Sequence, residues 1–329
     1  MPNIGSSCFL LPPDFSHCDC EADVNPTDNA VVTKEGHVCD QCGARPSALS
    51  TEQSLYAIGQ LDVRFPTIGV EREFQQRERA LASDDGVSED NHGARIAHVL
   101  RLNPHLWSRV CFIFSVGNTP AYIVSPSSQH TLQALLDAAS AKSEPEAFAV
   151  LIGRHAGTSA PGQCGGLMAP LAICDQLYAS TVPTWVSALE ARVKGVLESD
   201  ANAAKRFGTV ARELFLRVVQ STENIGALDS HRALNYVLVQ HPGFALGLVQ
   251  RPQCILDRIE TRAVQGTDLR RVVAVILTLV DRTTGVAERL FCRVDVTEQW
   301  PFVVEDLGSG IAPLAFAPYV ENALLGAGY

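Results

Sequence analysis

The stretch RRVVAVILTLVDRTTGVAERLFCRVDV, residues 270–296, decides the fold class. Two runs rich in Val, Ile and Leu flank the turn residues Thr283-Thr284-Gly285, a pattern that predicts an antiparallel hairpin. LDRIETRAV, residues 256–264, has the alternation of a third strand. Upstream the apolar spacing changes to that of helices. Trp185, Leu189, Val193 and Val196 form one stripe, and Phe207, Val210, Ala211, Leu214 and Val218 a second. A third helix is expected after Asp229, an available N-cap, with Leu234, Val237 and Leu238 inward.

Further upstream, YAIGQLDVRF (56–65) reads as a strand and IGVEREFQQRERAL (68–81) as a helix burying Val70, Phe74 and Leu81. RVCFIFSV (109–116) and AYIVSP read as a strand pair separated by GNTP. A helix then follows with Ser127 or Ser128 as N-cap and Leu132, Leu135 and Leu136 on one face. FAVLIG (148–153) is another strand. Strands, then helices, then strands indicate an α+β fold rather than a βα repeat, with antiparallel sheets around a central helical segment. Residues 1–50, rich in turn signals and poor in periodicity, read as an irregular arm that needs a staple, and residues 51–329 as the folded body.

Composition narrows the function. The chain has 329 residues, 46% of them hydrophobic, and a formal charge of −10. Its 26 basic residues are scattered, which argues against a nucleic-acid partner. The longest apolar run, Val272 to Val280, is too short to cross a bilayer, and the first fifteen residues lack the basic region of a signal peptide, so a cytoplasmic protein is expected. In that compartment ten cysteines point to metal ligation, redox use or burial rather than to disulfides. Cys111, Cys174, Cys254 and Cys292 sit in apolar segments and read as inert core.

Cys18-Asp-Cys20 and Cys39-Asp-Gln-Cys42-Gly43 are the strongest chemical signal. A C-x-x-C turn lets two thiolates approach one ion, and a second pair across an 18-residue loop completes a tetrahedral sulfur site for a structural zinc. His17 or His37 is an alternative ligand. Four thiolates leave no open position for water, so such a zinc stabilises and does not catalyse. Free thiols and a redox pair are the competing readings.

Two other groups are weaker. Cys164 and His155 lie nine residues apart in a glycine-rich loop, where a thiol nucleophile with its base is one reading, a metal or ligand contact by Cys164 another, and a packing or turn role a third. Asp295, Glu298 and Glu305 with Arg293 cluster near a strand end; Arg293 and Asp295 share a face by alternation, and the choice is between acid–base chemistry and an ion-pair network. Glu71 and Glu73 with Arg64, Arg72 and Arg77 fit helical i,i+4 pairing. The chain has no HExxH, GxSxG, Walker or post-strand GxGxxG motif.

Five stretches in order, YAIGQLDVRFP with VEREF, YIVSP, APGQCGGLMAPLAICDQLY, HRALNYVLVQHP and RLFCRVDVTEQWPFVVEDL, resemble the C-terminal domain of PatG- and PatA-type cyanobactin maturation proteins. They span about residues 55–307. The resemblance implies a free-standing form of that domain in a peptide-maturation system, without the protease domain, and it implies no reaction. Gly165 and Gln299-Trp300 depart from the family pattern, which expects Asn and Glu-Phe there. Two functions follow as expectations. One is an accessory protein that binds a precursor peptide or a partner maturation enzyme through sheet edges and Arg64, Arg293, Trp300 and Phe302, a homodimer also being open. The other is an enzyme acting on such a peptide through Cys164/His155 or Asp295/Glu298.

Overall fold

In chain order the elements are β1 (Ser54–Arg64), α1 (Ile68–Leu81), α2 (His92–Leu102), a 3-10 turn (Pro104–Arg109), β2 (Cys111–Val116), β3 (Thr119–Pro126), α3 (Gln129–Ala141) and β4 (Ala147–Thr158). After these come a second 3-10 turn (Gln163–Gly166), β5 (Pro170–Thr181), α4 (Val182–Leu197), α5 (Ala201–Val219), α6 (Asp229–Gln240) and α7 (Gly243–Val249). The chain closes with β6 (Cys254–Ala263), β7 (Val272–Asp281), β8 (Ala287–Asp295) and two-residue strands β9 (Phe302–Val303) and β10 (Ala317–Pro318). The computed structural model describes residues 53–81, 92–142, 144–160, 162–198, 200–220, 223–265, 270–304 and 316–319. The cysteine set of the arm (Cys18, Cys20, Cys39, Cys42), its two histidines and Glu305 lie outside them.

The α+β expectation holds, with more closure than local patterns predict. β1 through β5 form a closed barrel in the order β1-β2-β3-β5-β4. β3 and β5 are parallel, with α3 in the crossover, and the other pairs are antiparallel. This order is shared with oligonucleotide- and oligosaccharide-binding (OB) barrels, a likeness of architecture and not of function. β1 closes the barrel by serving two partners: Ser54–Gly59 pairs with β4 and Gln60–Arg64 with β2. Gly59 stands at the changeover, where a side chain would collide with the Ser115 carbonyl, so only glycine lets the strands approach.

Alternate faces of the barrel wall enter different cores. Leu55, Ala57, Leu61 and Val63 of β1 pack with β2, β3 and the helices α1–α3. Tyr56 and Ile58, with Phe148, Val150 and Ile152 of β4, instead face α4–α7 and one face of the second sheet. That sheet runs β10-β8-β7-β6, with β9 added to β8. Its hairpin turns where predicted: the Asp281 carboxylate accepts from the Thr283 and Thr284 N–H groups at 2.8 Å, and Gly285 takes φ +70°.

Ser128 caps α3 with a reciprocal bond to Thr131. Asp229 is the first residue inside α6, not its N-cap, because its carboxylate is taken by Arg232 and Arg271. Trp185, Leu189 and Val193 are buried as expected, but Leu197 and not Val196 completes the stripe. Glu73 pairs across to Arg109 and His105 of the 3-10 turn rather than along its own helix, and the Arg109 bond holds its carboxyl below the usual range.

Cys174 and Cys292 are buried, and burial pushes the Cys174 thiol up to about 12, so both are inert as expected. Cys111 corrects that reading. It is joined to Cys164 by a disulfide across 53 residues, contrary to the expectation of a chain without disulfides.

Candidate functional site

The site grows from a buried arginine. Arg232 of α6 is 1% exposed, and its guanidinium donates to the carbonyls of Val296 (2.7 Å), Glu298 and Gln299 (3.2 Å), with Asp229 at 3.4 Å. Burial lowers its pKa, opposed by Asp229, so the charge is held by the carbonyls it satisfies. Arg271 grips the same segment from the sheet. Its N–H donates to the Thr297 hydroxyl (2.7 Å) and its guanidinium to the Thr297 carbonyl (2.9 Å) and Asp229 (3.0 Å). Residues 296–299, irregular by sequence, are therefore tied to both α6 and β7.

The clamp delivers the next residues to the barrel wall. A register shift in β5 between Cys174 and Gln176 sets Asp175 outside the regular ladder. The Asp175 carboxylate accepts from Gln299 Nε2 (2.6 Å) and Arg154 Nε (3.1 Å). Beside it the Trp300 ring meets Tyr178 edge to face, centroids 6.3 Å apart. Phe302 lies under the Arg270 guanidinium at 5.8 Å. Tyr178, Trp300 and Phe302 remain 51%, 37% and 46% exposed, so large rings are held in place yet presented to solvent.

Trp300 and Phe302 are thus brought to one strip. Arg293 lies on β8 opposite Ala274, on the face of Asp295, and since Phe302 pairs with Asp295 it shares that face with Phe302; its carbonyl accepts from the Val304 N–H. Arg64 ends β1 opposite Cys111, six residues beyond Ile58, which shares its rung with Val150 and Tyr178. At about 3.3 Å per residue that is about 20 Å away.

Asp295 is 2% exposed and bound to Arg270 at 2.6 Å, with the Thr297 N–H at 2.8 Å. Burial works to raise its carboxyl, and these bonds outweigh it and hold it low. The Asp295 carboxylate is thus taken up in an ion pair, and the Glu298 backbone carbonyl accepts from Arg232.

Cys164 is no free nucleophile either. Its sulfur is bonded to Cys111, and His155 Nδ1 accepts from the Gly157 N–H at 3.3 Å. The disulfide holds residues 162–169 over the outer faces of β2 and β3, where Leu167 and Ala169 cover Cys111, Ile113 and Ile123. OB barrels bind ligands on that face. Here a loop of the chain itself covers it, secured by Ser159, whose hydroxyl donates to the Leu167 carbonyl (3.0 Å) and accepts from the Ala169 N–H (3.1 Å).

Sequence reasoning missed Arg232, Asp175 and Tyr178. An arginine inside an amphipathic helix pattern reads as surface, and HRALNYVLVQ offers no local sign that it is buried. Among the described residues no cluster of His, Cys, Asp and Glu has the makings of a metal site.

A family model described as PatG C-terminal matches residues 201–309, from α5 to beyond β9, a span that holds Arg232, Arg271 and the whole 296–302 segment. No curated protein matches the chain. Among solved structures, it is similar to one titled "PatG Domain of Unknown Function", at 18% identity and a TM-score of 0.59, over 77% of this chain and 97% of that one. The arginine clamp and strands β6 to β9 thus lie within the span that the PatG C-terminal model matches, and the chain is similar in fold to a PatG domain over about three quarters of its length.

Proposed function

We propose that this protein is an accessory module of ribosomal peptide maturation of the cyanobactin kind, which binds a precursor peptide or a partner maturation enzyme and does not cleave it. The observation that carries the reading is the strip of Tyr178, Trp300 and Phe302, exposed and yet held: Trp300 packs on Tyr178 of β5 and Phe302 lies under Arg270, directly after the clamped residues 296–299. Aromatic rings prepared in this way lose little entropy on binding, and they dominate the energy of protein interfaces. The resemblance to PatG domains supplies the context. No helix among the described residues is long and apolar enough to cross a membrane.

The test uses the full chain and a cyanobactin precursor peptide, followed by calorimetry and by mass over time. Measurable affinity with unchanged peptide mass is expected, and Trp300→Ala/Phe302→Ala should weaken binding about tenfold or more. A cleaved or mass-shifted product that disappears in Cys164→Ala or His155→Ala would instead establish the thiol-enzyme reading, which requires the disulfide to open first.

A structural zinc on Cys18, Cys20, Cys39 and Cys42, or on three of them with His17 or His37, is part of the same proposal and rests on their spacing. Elemental analysis should find about one zinc per chain. Metal retained in a Cys39→Ala/Cys42→Ala variant sinks it.

A further inference from the structure

On the helical side of the second sheet, α5, α7 and the start of β6 enclose a cleft of about 530 Å³. Its charged residues are Arg206, Arg217, Arg282 and Glu213, three cations against one carboxylate in a chain of net charge −10. Two of these arginines are held in place by neutral groups. Arg206 donates to the Val249 carbonyl (2.9 Å), and Arg217 donates to the carbonyls of Leu256 (3.0 Å) and Asp257 (2.8 Å). A carbonyl orients a guanidinium without cancelling its charge, so the cleft keeps its positive field. Val210, Leu214 and Leu248 give it an apolar lining, which favours hydrocarbon beside the anion over a bare inorganic ion.

The wall of the cleft is the edge strand of the sheet. β6 pairs with β7 on one side, and among the described residues no strand pairs on the other. Val264 N–H bonds to the Val272 carbonyl, so by alternation residues 262, 260 and 258 also bond toward β7. The N–H and C=O groups of Ile259, Thr261 and Ala263 point the other way. Arg217 covers the edge at the Leu256–Arg258 register shift, directly before this open stretch.

We propose that this cleft takes an acidic side chain of an extended partner peptide, whose backbone continues as an added strand along residues 259–263 of β6. The carboxylate lies among Arg206, Arg217 and Arg282, and the neighbouring apolar residue lies on Leu214 and Leu248. The inference rests on the peptide-binding reading and locates that binding on a surface separate from the Tyr178–Trp300–Phe302 strip.

The experiment titrates the full-length protein with fluorescein-labelled, end-blocked decapeptides of Val, Thr and Ser that carry one central Glu, Gln or Lys. The Glu peptide should bind about tenfold more tightly than the Gln peptide, and salt should weaken it. Arg282→Glu should abolish the preference for Glu. Thr261→Pro, which blocks the free edge without removing a bond to β7, should weaken Glu and Gln peptides alike. Circular dichroism confirms that each variant is folded, and the Arg282 variant stands alone if Thr261→Pro is not. Equal affinity for Glu and Gln peptides, or no binding of either, overturns the proposal. So does a Glu preference lost in Trp300→Ala/Phe302→Ala but kept in Arg282→Glu, since the strip would then be the peptide site. Unchanged precursor binding in the strip variant with the decapeptide preference intact defeats only the strip reading.

Discussion

The barrel and the C-terminal sheet solve the same problem, the satisfaction of strand edges, in opposite ways. In the barrel every strand has two neighbours, so no edge remains, and the outer face of β2 and β3 is covered by residues 162–169 under the Cys111–Cys164 bond. Among the described residues no strand pairs with the outer edge of β6, and the other flank of the sheet carries the two-residue strands β9 and β10. Order there comes from side chains, Arg232 and Arg271, that bind backbone carbonyls of an irregular segment. Closure makes the barrel a platform. The open half and its junction with the barrel present the rings, the charges and, among the described residues, the free strand edge on which the proposed recognition rests.

The comparison breaks most readily at Arg232. Arg232→Met should cost about 3–5 kcal/mol, because the carbonyls of Val296, Glu298 and Gln299 lose their buried donor and Asp229 loses a partner. Urea unfolding followed by tryptophan fluorescence measures it. A loss below about 1 kcal/mol would mean that the segment does not depend on the clamp.

The corresponding cut in the barrel is covalent. Cys111→Ser/Cys164→Ser, or reduction of the native protein, should cost about 2–4 kcal/mol, since the bond closes a long loop in the unfolded chain. Reduced protein should also become sensitive to protease at residues 162–169 before the sheet does. Uniform loss of protection across both halves would show that the disulfide secures more than its own loop.

A smaller effect sharpens the electrostatic side of the contrast. The Asp295 carboxyl is held below its ordinary value in the folded protein, so its contribution is complete above the unfolded pKa of about 3.9 and is lost as pH falls through the lower folded value. Asp295→Asn should therefore flatten the loss of stability below about pH 4 and leave the slope near neutrality unchanged. An unaltered acid limb would remove Asp295 from the account of acid unfolding.

Much of the fold can be read locally. The hairpin of β7 and β8 follows from apolar runs around Thr283-Thr284-Gly285, α1 occupies the predicted residues, and Ser128 caps α3. Trp300 and Phe302 were also recognisable as candidates, because large rings in a polar, proline-ended segment have no core of their own. Each of these rests on neighbours within a few residues, where periodicity and turn chemistry act directly.

Tertiary structure decided the rest. Periodicity shows that a strand face is buried but not what buries it, and barrel closure depends on β5 lying parallel to β3 across the α3 crossover. In the same way, Cys111 reads as core until Cys164 is folded onto it, and Arg232 reads as surface until three carbonyls from residues 296–299 surround it. Asp175 and Gln299 are 124 positions apart and meet at 2.6 Å. Local spacing on its own determined the elements and their inward faces; the site is made of contacts between distant residues, and only chain closure brings these together.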